Sequence, residues 1–193
     1  PKQLSPLLGA EKEARDIGQL LNVTPPIGSQ ATESAVVQKM QSSRIIHLAT
    51  HGSFDGDRGI ESWIALTPNP PSPPLERGGS IGDGLLTAGE IFDLELNADL
   101  VVLSACETGR GKITGDGVIG LSRSLMSAGT ASVLVSLWKV PDDATYFLMR
   151  EFYQTWESSG NKAQALRQAM LTTMQQYPTP ENWAAFTLMG EAQ

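Results

Sequence analysis

Two hydrophobic rhythms alternate along the chain. Short, nearly continuous apolar runs, RIIHLAT, LVVLSA and ASVLVSLW, are rich in residues that favour strands and predict segments buried on both faces of a sheet. The first stops at His51-Gly52 and the second at Cys106, while SWIALTP reads as a further short strand. Between them, apolar residues recur at helical spacing. Residues 10–21 place Ala14, Ile17 and Leu21 on one stripe, ended by Pro25-Pro26 and Gly28, and ESAVVQKMQ after Thr32 fits a second helix. Thr87 as N-cap with Glu90 three positions on predicts a short helix to Phe92. Val118, Leu121 and Leu125 with a closing Gly129 predict a helix from Asp116. Residues 141–157 open on Pro141-Asp142-Asp143 and carry Leu148, Phe152 and Trp156 on one stripe. Asn161 with Gln164 caps the last helix, whose inner stripe is Ala163, Leu166, Ala169, Met170 and Met174. Strands separated by helices predict an α/β fold, a mainly parallel sheet with helices on both faces.

The regular rhythm breaks between Phe54 and Leu86, where PNPPSPPLERGGSIGDG cannot join a helix or a central strand. Residues 68–84 are therefore expected to form a flexible, Pro- and Gly-rich surface loop. There is no internal repeat, and 193 residues suit one domain, 1–193, with a substantial core. A first residue of Pro rather than Met leads us to expect a piece of a longer protein.

Hydrophobic residues at 40% and charged residues at 18% are ordinary for a globular domain. The net charge of -7, with few and scattered Lys and Arg, argues against nucleic acid and favours a cationic substrate. No apolar run is long enough to span a bilayer, and the N-terminus lacks the order of a signal peptide, so no membrane partner and a cytoplasmic location are expected. One Cys and two His allow no internal disulfide and do not suit a structural zinc site, so neither metal nor cofactor is expected.

The candidate chemistry lies at two strand ends. In open parallel sheets, catalytic groups gather beyond the carboxyl ends of the strands. His51 and Cys106 both stand there, in the polar, glycine-containing segments HGSFDG and CETGRG. If the two strands are neighbours, a thiol nucleophile and the His that activates it can face each other. Gly52 lets the backbone approach a substrate and offers an N–H to an oxyanion, with the N–H of Cys106 as second donor. The helix near Asp116 does not begin at Cys106, so lowering the thiol pKa falls mainly to His51. Against this stand plainer readings: a lone Cys is usually a small buried hydrophobe, and a strand-end His is usually satisfied locally. His47, inside its strand with no glycine beside it, reads as a hydrogen-bonded core histidine. Trp138, Phe147, Phe152 and Trp156 read as helix-to-sheet packing, and Trp63 as either rim packing or a wall of a substrate cleft.

The string HLATHGSFD, then LVVLSACETGRG, then GDGVIGLSRSLMSAGTASVLVSLWKVPDDAT, then helices ending in NWAAFTLMGE, resembles the CHAT family from Leu8 onward. That family belongs with caspases, separase and gingipains, which implies a caspase-haemoglobinase-like fold and a cysteine endopeptidase cutting peptide or protein substrates through a thioester. The resemblance places the catalytic pair on His51 and Cys106. It also implies tetratricopeptide or other helical repeats upstream, and, as the family's caspase-like unit often includes a further N-terminal half, an incomplete sheet edge is expected here. SLWKVPDDAT resembles the separase stretch that helps form an arginine pocket, but Lys139 stands where separase has an acid. Asp142 matches an acidic position, so its role is open between substrate pocket and simple charge complementarity at a helix N-terminus. Glu107 either tunes or orients the nucleophile, lines the pocket, or belongs only to the turn. The competing classes are a catalytically weak or inactive signalling and assembly module of the same fold, and an acyl hydrolase for small molecules using the same dyad.

Overall fold

A computed structural model describes residues 7–53, 59–70, 82–107 and 115–193. They form six α-helices and six strands: α1 (Leu8–Leu20), α2 (Glu33–Ser42), β1 (Ile45–Ser53), β2 (Trp63–Ala65), β3 (Leu85–Thr87), α3 (Ala88–Phe92), β4 (Leu100–Glu107), α4 (Gly115–Ser127), β5 (Ser132–Ser136), α5 (Asp142–Ser159), α6 (Lys162–Gln176) and β6 (Phe186–Gly190).

The strands form one sheet in the order β3-β2-β1-β4-β5-β6. Its centre, β1-β4-β5, is parallel, as the apolar runs predict. The edges are antiparallel, β2 on β1, β3 on β2 and β6 on β5. These edges are where the sequence pattern is weakest. Leu85–Thr87 has three residues, too few to show a period, and falls at the end of the stretch read as loop. Residues 186–190, read within the resemblance as the end of the terminal helices, form β6 instead. Pro178 and Pro180 end α6 and lead through a 3-10 turn, Pro180–Asn182. After it the side chains alternate, Leu188 against one core and Met189 against the other, which is strand periodicity.

Two apolar layers cover the sheet. On one face Ile46, Leu48, Val101, Leu103, Val133 and Val135 pack with Val36 and Met40 of α2, Ile91 of α3 and Leu121 and Leu125 of α4. On the other, Leu100, Val102 and Leu134 pack with Ile17 of α1, Leu148 and Phe152 of α5 and Leu166 and Ala169 of α6. Each central strand thus buries both sets of its side chains, which is why these strands are continuous in hydrophobicity.

The helix ends carry the signals read from the sequence. Thr87 and Glu90 form a reciprocal capping box on α3, Asn161 accepts from the Gln164 N–H at α6, and Thr32 accepts from the Ala35 N–H at α2. Gly129 follows α4 at φ 110°, where an added Cβ would lie 2.1 Å from the Leu96 carbonyl oxygen. Of the expected loop 68–84, residues 71–81 lie outside the described residues. Its flanks are held: Glu33, buried in α2, accepts from the N–H groups of Gly82 and Gly84 at 2.8 and 2.9 Å, and Asn69 accepts from Ser34. No described helix is long and apolar enough to cross a membrane.

Candidate active site

β1 and β4 lie side by side with an unbroken parallel register from Ile45↔Leu100 to Gly52↔Glu107. In that register His51 is opposite Cys106. Adjacent strands run about 4.8 Å apart, so the ladder brings the backbones of the two candidate residues to one rung. The pair is a consequence of two buried strands of matched length, each reaching its polar, glycine-containing segment at the same height. Both strands run slightly further than the pattern suggests, β1 to Ser53 and β4 to Glu107, because β1 gains β2 as a partner at Gly52↔Ile64 and Ser53↔Trp63. The candidate residues therefore occupy the last rungs of the sheet rather than the loops beyond it.

His51 is buried, 8% exposed, as is Gly52 beside it. Gly52 stands between Glu107 on one side and Ile64 on the other. Glu107 is the last residue of β4. α4 begins at Gly115, eight positions beyond it, so its positive end does not start at Cys106. Trp63, half-buried in β2, is paired with Ser53 and Thr87 and borders the end of β1.

Asp142 is the first residue of α5, exposed, with Asp143 beside it in the first turn. Its carboxyl group packs on Gly9 of α1, leaving no room for a Cβ there. The side chain thus serves the junction of two helix N-termini, an arrangement consistent with charge complementarity to α5.

His47 is a hydrogen-bonded core histidine. Its ring nitrogens lie 3.0 Å from the Tyr153 hydroxyl and 3.0 Å from the Glu13 carboxylate. The other Glu13 oxygen accepts from the Ser104 hydroxyl at 3.0 Å. Burial, and then the Glu13 charge, raise the Tyr153 phenol well above its ordinary pKa. Sequence reasoning passed over Glu13, Ser104 and Tyr153. The available signal was an acid four positions before Ile17, on the inward stripe of α1.

A cavity of about 320 Å³ between α1 and α2 opens at the other end of β1, lined by Ile17, Val36, Met40 and Ile45. Among the described residues no three His, Cys, Asp or Glu side chains are grouped to hold a metal.

The family model of the CHAT domain matches residues 1–191. Tetratricopeptide repeat protein 28 of Mus musculus is 31% identical over 96% of the chain, and that of Homo sapiens 33% identical over 96%. The chain spans only 9% and 8% of the length of those two relatives. With a model that covers nearly every residue, and a parallel sheet core that sets a histidine and a cysteine on one rung, the chain belongs to the CHAT domain family, a caspase-like family.

Proposed function

We propose that this domain is a cysteine endopeptidase in which His51 and Cys106 act as a dyad. The observation that supports the reading is their shared rung at the carboxyl end of the sheet. The Cys106 thiolate attacks the scissile carbonyl carbon, and His51 carries the thiol proton. The C–N bond breaks as His51 gives that proton to the leaving amine, which leaves a thioester on Cys106. His51 then takes a proton from water, the hydroxide adds to the thioester carbon, and the C–S bond breaks to release the acid and restore the nucleophile. The N–H groups of Cys106 and Gly52 hold the oxyanion, and for Gly52 this requires the last rung of the ladder to open toward substrate. Asp142 and Glu107 are the acids proposed to meet a basic residue before the cut, in keeping with the acidic balance of the chain. The names of the two relatives support tetratricopeptide repeats elsewhere in the full protein, and we place the domain in the cytoplasm.

A second reading, an assembly module with little turnover, draws on the same names, which speak of repeats and of no enzymatic activity. A peptide bearing an acyloxymethyl ketone separates the two. The peptidase reading expects stoichiometric modification of Cys106, loss of hydrolysis in Cys106→Ser, and a fall of about 10²–10⁴-fold in kcat/KM in His51→Ala. Absence of modification in a folded protein, with and without its upstream region, selects the assembly module.

A further inference from the structure

Within the apolar layer that faces α1 and α5 sits a connected set of four polar side chains that the proposed reaction does not use. Glu13 is 5% exposed, Ser104 8% and Tyr153 2%, and the His47 side chain is 7% exposed. The contacts of 3.0 Å among them form a chain from Tyr153 through His47 and Glu13 to Ser104. One assignment gives each of these hydrogens an acceptor inside the set: Tyr153 donates to Nδ1 of His47, Nε2–H donates to Oε1 of Glu13, and Ser104 donates to Oε2. The His47 and Ser104 donors then converge on the carboxylate, while Tyr153 donates to His47 at the far end of the chain, where its raised phenol pKa suits a donor.

Burying such a set is costly, and apolar replacements of similar volume are often neutral or stabilising in other proteins. Its place in the fold gives it a use. His47 lies four residues before His51 on β1, and Ser104 two residues before Cys106 on β4, all at positions of matching parity. Glu13 therefore holds the two candidate strands with one oxygen each. α1 runs alongside β1 in the opposite direction: Ile17 borders the cavity at Ile45, Glu13 meets His47, and Gly9 packs on Asp142. Its N-terminal end thus points toward the end of the sheet that carries the dyad.

We propose that Glu13 is a positioning residue for the dyad, a carboxylate staple that fixes the last rungs of β1 and β4 at the spacing and twist in which His51 can pair with Cys106. The inference rests on the peptidase reading. It is tested on Glu13→Gln, which keeps the volume but removes the charge, and on Ser104→Ala, which removes a single link. Leu121→Ala, on the opposite face of the sheet, serves as a control for loss of stability alone. The readouts are the pH profile of Cys106 alkylation by iodoacetamide, kcat and KM separately, and the thermal midpoint. Both test variants should move the thiol titration up toward the ordinary value of about 8.5 and lower kcat about tenfold or more, with KM within about twofold. The control should leave the titration in place at an equal thermal loss. Unchanged titration in both test variants, or the same displacement in the control, overturns the proposal. If Glu13→Gln does not fold, Ser104→Ala decides on the same criteria. If His51→Ala leaves alkylation unchanged, the dyad itself fails. If His51→Ala slows alkylation while the Glu13 and Ser104 variants match the wild type, only the staple fails.

Discussion

Three residues separate His47 from His51 on one strand, and their surroundings differ. His47 is closed in between Tyr153 and Glu13, whereas His51 shares the rung of the cysteine near the end of the sheet. The Tyr153 phenol is the group whose shift can be read directly. Because burial raises its folded pKa above the unfolded value of about 10, its contribution to stability is complete below that value and declines as pH rises above it. An ultraviolet titration should therefore show the Tyr153 phenolate only as the fold is lost, and Tyr153→Phe should remove that component. Ionisation of Tyr153 near pH 10 in a folded protein would contradict the buried chain of hydrogen bonds. Asp142 gives a test of specificity at the same scale. If it meets a basic residue before the cut, Asp142→Asn should reduce kcat/KM several-fold for Arg and Lys substrates and leave apolar ones unaffected; equal losses on both leave it as a helix-end charge.

At the scale of elements, legibility followed length and local chemistry. The central strands announced themselves because both their faces are buried, and the helices because caps such as Thr87 with Glu90 are local patterns. Thr87→Ala should lower stability by about 1 kcal/mol in urea denaturation, the usual worth of a cap. β3 and β6 were not legible, since three residues and a pentapeptide gain strand structure only from their neighbours, β2 and β5. Glu33 was equally hidden, because its two amide donors come from Gly82 and Gly84, about fifty positions away. Its removal leaves two amides without their charged acceptor, and Glu33→Ala should cost about 2–3 kcal/mol, measured by the same denaturation. A loss below about 0.5 kcal/mol would mean that water replaces the carboxylate and that this anchor of the 82–84 turn is weak.

The whole molecule converts linear order into adjacency. Fifty-four residues lie between the histidine and the cysteine, and the parallel register of β1 on β4 removes that separation. The pair itself was legible as two strand ends, and their adjacency became a fact of the fold through the sheet order. The Glu13 set was not legible, because it joins α1, β1, β4 and α5 and no local spacing connects them. The central claim is that His51 makes Cys106 a thiolate at neutral pH. An ordinary thiol of pKa about 8.5 is only a few per cent ionised at pH 7, so a histidine-paired one can alkylate roughly ten- to thirty-fold faster. As Cys106 is the one cysteine of the chain, the label reports that residue alone. The most direct measurement is the rate of Cys106 alkylation by iodoacetamide from pH 5 to 10, in the wild-type chain and in His51→Ala. The account predicts a wild-type titration well below 8.5 that His51→Ala returns to about that value; superimposable profiles in the two folded proteins would contradict it.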